Sequence, residues 1–292
     1  MQEALKPARE ALLKALEGEC GGEERQRLNA ALAALGETDR RTYPSTVEDF
    51  NRIHGSDKII HGFTEAYDAF FAPFKYKKAV VVEIGIGGHN LPGKGGQSLW
   101  MWRDYFPNAR VVGIDIIDKS FVDEDRIKSY KGSQVDFDFW DRVIDEVGPP
   151  DIVIDDGSHY CDHQQRTFEY LLPRMTPGGV YAIEDVMSNY KGPFGGDPYL
   201  KGTAMPVSWF AENIHYVNSR VIGDDVLDKT ALQNQIDVVA FYHSLVIVRK
   251  IREPKVNLDR EIRDARLSWD EYRAANPKTK DGYFDYAGKG EE

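Results

Sequence analysis

From Lys78 onward, short runs of β-branched residues alternate with helical stretches, and no other feature of this chain constrains its fold as tightly. Ala79-Val80-Val81-Val82-Glu83-Ile84 has the character of a fully buried strand ended by glycines, and Val111-Val112-Gly113-Ile114-Asp115-Ile116 that of a second. Ile152-Val153-Ile154-Asp155 and Gly179-Val180-Tyr181-Ala182-Ile183 supply two more, and a weaker strand is expected around residues 127–131. Near-continuous apolar strands separated by helices imply a doubly wound α/β domain, its mostly parallel sheet covered on both faces. Residues 238–242 and 245–249 are joined by only His243-Ser244, and so short a connection requires an antiparallel hairpin.

The rest of the chain adds boundaries. Leu5, Leu12, Leu13 and Leu16 share one helical face, Leu28, Leu32 and Leu35 another, and Gly18, Gly21 and Gly22 separate them. Residues 1–50 therefore read as a helical appendage and a candidate surface for self-association. Residues 51–252 form the main domain, and 253–292 a charged, partly helical tail. With 292 residues, 41% hydrophobic and 12% aromatic, the chain has the composition of a folded protein. Its formal charge of −11 argues against nucleic acid and acidic lipid as partners. Mean hydropathy is −0.50 and no run spans a bilayer. No signal-peptide pattern opens the sequence, and two cysteines, Cys20 and Cys161, fit a reducing compartment, so a cytoplasmic location is expected.

The first strand runs straight into Gly85-Ile86-Gly87-Gly88, where glycines let backbone approach a ligand at the crevice beyond the strand ends. A dinucleotide fingerprint needs a third glycine where this chain has Asn90, and the loop continues through Gly93, Gly95 and Gly96 before a helix can start at Ser98. That length disfavours NAD. A parallel sheet closed by an antiparallel hairpin resembles the class I methyltransferase fold, with seven strands. In that fold Asp115, ending the second strand, would accept the ribose hydroxyls of S-adenosylmethionine; the alternative is that it only caps a helix. Glu83, Gly85, Gly87 and Asp115 together fit such a cofactor site.

The third clear strand ends in Asp155-Asp156-Gly157-Ser158-His159 and the fourth in Glu184-Asp185. In such a sheet these strands are neighbours, about 4.8 Å apart, which gathers up to four carboxylates in one volume. A divalent cation would relieve their repulsion, and an oxygen shell favours Mg²⁺ over zinc. The alternative is that the acids cap helices or pair with Arg166 and Lys191. His159, three residues past Asp156, is the candidate general base, with His163 its competitor.

Six segments in order, Gly55-Ser56-Asp57-Lys58, Glu83 to Gly88, Gly95-Gly96-Gln97-Ser98-Leu99, Gly113-Ile114-Asp115-Ile116, Asp155 to His159 and Ile183-Glu184-Asp185, resemble the macrolide sugar O-methyltransferases acting on mycinamicin and macrocin and their relatives on other deoxysugar antibiotics. The resemblance covers roughly residues 50–200. It implies S-adenosylmethionine and Mg²⁺ as cofactors, Asp156, Glu184 and Asp185 as metal ligands, and His159 as base. It further implies cofactor contacts from Ser56, Glu83, Gly85, Gly87, Ser98, Asp115, Gln134 and Asp156. The loop reading His89-Asn90-Leu91-Pro92-Gly93-Lys94 departs from the family pattern. Residues 187–206 are expected to form a lid, in which Tyr190, Phe194 and Tyr199 either stack on a sugar or pack. The expected activity is methylation of a sugar hydroxyl on a small-molecule glycoside. Metal-dependent catechol or phenol methylation and non-catalytic S-adenosylmethionine binding are the alternatives.

Overall fold

A computed structural model describes residues 44–91, 93–199, 206–218 and 232–253. The helices expected within residues 1–40, with the self-association surface assigned to them, lie outside these residues, as do 200–205 of the expected lid and the tail beyond Glu253. Strands β1 (Val80–Ile84), β2 (Arg110–Asp115), β3 (Ile127–Lys131), β4 (Ile152–Asp155), β5 (Val180–Glu184), β6 (Ile236–Tyr242) and β7 (Leu245–Lys250) form one sheet in the order β3-β2-β1-β4-β5-β7-β6. β7 runs antiparallel to both β5 and β6, and the other pairings are parallel. The apolar runs and the two-residue hairpin thus fold as their sequence predicts. Ser244 makes the hairpin turn at φ +58°.

Along β1, Val81 faces one hydrophobic core and Val82 the other, as strand alternation requires. On the first face lie α1 (Val47–His54), α2 (Thr64–Phe71) and α3 (Gln97–Tyr105), which contribute Phe50, Tyr67, Phe71 and Trp102. The second face is covered by α4 (Phe137–Val147), α5 (Cys161–Leu171) and α6 (Pro206–Glu212), through Trp140, Phe168 and Phe210. Local chemistry sets the helix ends. Thr46 and Asp49 form a reciprocal capping box at the start of α1, and Gly55 closes it in the left-handed region. The boundary expected at residue 50 falls inside α1, whose Val47 and Phe50 belong to the core of the sheet domain. No helix among the described residues is long and apolar enough to cross a membrane.

β1 pairs with β2 on one side and β4 on the other, so the connections wind in opposite directions from it. In an open α/β sheet, the crevice beyond the C-terminal strand ends at such a switch point receives ligands. The glycine loop after β1 and the Asp155-to-His159 turn after β4 both open there.

Candidate active site

A cavity of about 750 Å³ occupies this crevice. Its wall runs from Gly85, Gly87, Gly88, His89 and Asn90, past Asp115, to Asp156, His159, His163 and Asp185. The cofactor-loop side and the acid-histidine side therefore share one continuous space.

The loop takes its shape from contacts a sequence does not advertise. A Cβ on Gly85 would lie 2.0 Å from the carbonyl oxygen of Asp156, so this glycine seats the β1 loop directly on the β4 turn. Gly88, at φ +70°, packs equally hard on the backbone of Lys94, so the two ends of the loop meet. Lys119 pins it: its Nζ donates to the carbonyls of Gly87, His89 and Lys94 at 2.7, 2.6 and 3.0 Å. Asp115 accepts from the backbone N–H of Ile86 at 3.0 Å through Oδ2 and of Ile117 at 2.8 Å through Oδ1. A carboxylate has about four lone-pair directions, so Asp115 can brace the loop and still present acceptor capacity to the cavity.

Beneath the cavity lies a buried ionic cluster. The Lys58 ammonium sits 2.6 Å from Glu184 Oε1, 2.9 Å from Glu83 Oε1 and 3.3 Å from Asp156 Oδ2. Tyr67 donates its hydroxyl to the same Glu184 oxygen, and Trp102 Nε1 donates to Glu83 Oε2 at 3.2 Å. Burial opposes the charge on Lys58, but Glu184, Glu83 and Asp156 outweigh it and hold the ammonium well above the usual lysine range. Three carboxylates share this one cation, so burial and mutual repulsion raise Glu184 and Glu83 as well.

Two backbone irregularities aim the groups that face the cavity. His159 (φ +59°) and Asp185 (φ +52°) both adopt left-handed conformations, which non-glycine residues hold only where the surroundings enforce them. Within 4.8 Å of one another lie ligand atoms of Asp156, His159 and Asp185; a second such group is Glu83, Asp156 and Glu184. His159 Nε2 is 3.9 Å from Asp185 Oδ2, while His159 Nδ1 and Asp185 Oδ1 are buried without a hydrogen-bond partner. Buried polar atoms are almost always satisfied, so the pair is a candidate point for binding an ion or ligand. His163 differs, because its Nδ1 is 2.7 Å from Ser158 Oγ.

Of the residues expected at the cofactor, Gly85, Gly87, Asp115, Gln134 and Asp156 line the cavity. Ser56, Glu83 and Ser98 stand behind it. Ser56 caps a short 3-10 turn, and Ser98 hydrogen-bonds Glu83. Gln134 is spoken for internally, donating to Asp155 Oδ1 at 3.1 Å and accepting from Ser158 N at 2.8 Å. Of the expected metal ligands, Asp156 and Asp185 face the cavity, whereas Glu184 turns toward Lys58 and Tyr67. Sequence reasoning missed Lys58 and Lys119. Lys58 was visible only as a member of the Gly-Ser-Asp-Lys segment, and nothing in the sequence marked Lys119.

No protein-family model matches the chain. Over 161 residues it is 48% identical to the 8-demethyl-8-(2-methoxy-alpha-L-rhamnosyl)-tetracenomycin-C 3'-O-methyltransferase of Streptomyces olivaceus, covering 53% of this chain and 41% of that protein. Over 150 residues it is 47% identical to the mycinamicin VI 2''-O-methyltransferase of Micromonospora griseorubida, covering 50% and 38%. Over about half of its length this chain is homologous to these O-methyltransferases. The homology extends to structure. The MycE methyltransferase of the mycinamycin biosynthetic pathway, solved with Mg and SAH, superposes with a TM-score of 0.68 at 32% identity, over 78% of this chain and 60% of that one. Its complex with Mg, SAH and mycinamycin VI gives 0.67 at 33%, over 78% and 58%. The shared architecture is the class I methyltransferase fold. The chain spans about two fifths of the length of the curated relatives it matches.

Proposed function

We propose that this chain is an S-adenosylmethionine- and Mg²⁺-dependent O-methyltransferase that acts on a sugar hydroxyl of a glycosylated natural product of the macrolide or deoxysugar-antibiotic type. The observation that carries the reading is the single cavity joining the glycine loop and Asp115 to Asp156, Asp185 and His159. A methyl donor bound at one end lies beside an acid-histidine centre at the other, in a chain homologous to enzymes of that reaction.

The donor set fits a hard divalent cation. Asp156 and Asp185 offer oxygens to the cavity, and the unpartnered Asp185 Oδ1 is an acceptor without a donor. Glu184, whose Oε1 is held by Lys58 and Tyr67, lies within ligand distance of Asp156 and is the expected third ligand. When bound, Mg²⁺ acidifies a coordinated hydroxyl and fixes its direction. Asp115 and the glycine loop hold the cofactor so that its methyl faces the acceptor. His159, which lines the cavity beside Asp185, takes the hydroxyl proton. His163, whose Nδ1 is held by Ser158 Oγ, is the competing candidate through its other ring nitrogen. Beyond the base, Tyr160 lies 5.6 Å, ring to ring, from Phe194, and Tyr190 and Tyr199 are exposed. This aromatic surface suits an acceptor larger than a free monosaccharide.

The test is S-adenosylhomocysteine release from a panel of deoxysugar glycosides, with and without Mg²⁺. Mg²⁺-dependent turnover of at least one glycoside is expected. Faster turnover of simple catechols than of any glycoside would overturn the acceptor assignment.

A further inference from the structure

Lys119 is 3% exposed, and among the described residues it pairs with no carboxylate. All three of its ammonium protons are directed at carbonyls of the glycine loop. In a trans peptide the N–H points opposite to the C=O before it. Turning the Gly87 and His89 carbonyls to Lys119 therefore sends the amides of Gly88 and Asn90 the other way. Gly88, His89 and Asn90 line the cavity and Lys119 does not, so the loop stands between the ammonium and the ligand space. Those two amides have no acceptor among the described residues. A buried cation behind unspent backbone amides makes a wall that attracts an anion.

The rest of the lining has the opposite character. It carries Asp57, Asp115, Asp156 and Asp185, with no lysine or arginine among its residues. S-adenosylmethionine brings three charged groups into this space, a sulfonium, an α-ammonium and a carboxylate. The acidic wall suits the two cations and repels the carboxylate. With the ribose at Asp115 and the sulfonium toward Asp156 and Asp185, the loop is the part of the wall left for the carboxylate.

Resting on the S-adenosylmethionine reading above, we infer that Lys119 is a positioning residue for the cofactor's carboxylate, acting through the backbone of the glycine loop. Calorimetry with S-adenosylhomocysteine and its decarboxylated analogue separates this role from simple support of the loop. Wild type should bind S-adenosylhomocysteine at least about tenfold more tightly than the analogue. Lys119→Met should lose about tenfold or more for S-adenosylhomocysteine and less than about threefold for the analogue. Lys119→Gln, which keeps N–H donors for the carbonyls but drops the charge, should show the same selective loss and serves where the methionine variant fails to fold. Equal losses for both ligands would reduce Lys119 to a prop for the loop and overturn the inference. So would unchanged S-adenosylhomocysteine affinity in either variant, or a wild type that binds both ligands alike. A wild type that binds neither ligand would instead remove the cofactor reading on which the inference rests.

Discussion

Lys58 Nζ lies 2.6 Å from Glu184 Oε1, although the two residues are 126 positions apart and neither side chain reaches solvent. The pair ties the turn after α1 to the end of β5, directly beneath the cavity. Glu184 is thereby held from below, while its neighbour Asp185 turns up to face His159.

Removing that cation should be costly. Lys58→Met leaves Glu184 and Glu83 buried without a counter-charge, and breaking a buried pair from one side destabilises by about 3–5 kcal/mol. Denaturant unfolding should show the loss as a lower midpoint. A midpoint equal to wild type would mean that the cluster is not formed as described.

Asp115→Ala should weaken S-adenosylhomocysteine binding by about 1.5–3 kcal/mol, the range for hydrogen bonds to a charged group. The variant also frees the Ile86 amide, so part of the loss is loop order. Unchanged affinity in calorimetry would take Asp115 out of the cofactor site.

Activity should disappear with a chelator and return with Mg²⁺. Asp156→Ala and Asp185→Ala should each raise the Mg²⁺ concentration needed for rescue, because both face the cavity. Full activity in chelator would refute the metal assignment.

His159→Ala should lower kcat by roughly 10²–10⁴-fold, the usual contribution of a positioned base. S-adenosylhomocysteine affinity should survive. If His163→Ala gives the larger loss, the proton goes to the histidine that Ser158 holds.

Acid stability should depend on Asp104. Burial would raise its carboxyl, but hydrogen bonds from His54 and Arg103 outweigh that and hold it down at about 2. Its folded value lies below its unfolded value of about 3.9, so the contribution is complete above the unfolded value and is lost as pH falls toward the folded one. Between about pH 4 and pH 2, the Tm of wild type should therefore fall more steeply than that of Asp104→Asn. Parallel Tm curves would show that the carboxylate gains nothing from its partners.

The sequence by itself determined the sheet and where its chemistry lies. Strands buried on both faces must be continuously apolar, so β1, β2, β4 and β5 are legible in their β-branched runs, and the residues around their C-terminal ends are legible as candidate site residues by position alone. The two-residue link at His243-Ser244 leaves β7 no direction but antiparallel. Which way each acid turns was decided only by the tertiary structure. Glu184 and Asp185 are adjacent and chemically alike, yet a left-handed φ at Asp185 sends one carboxylate to the cavity and the other to Lys58 and Tyr67. Lys58 and Lys119 look in the sequence like any surface lysine. They are buried because folding brings them acceptors from distant segments, three carboxylates for one and three loop carbonyls for the other. A side chain's partners across the chain depend on how the layers pack, and no local pattern of residues encodes that.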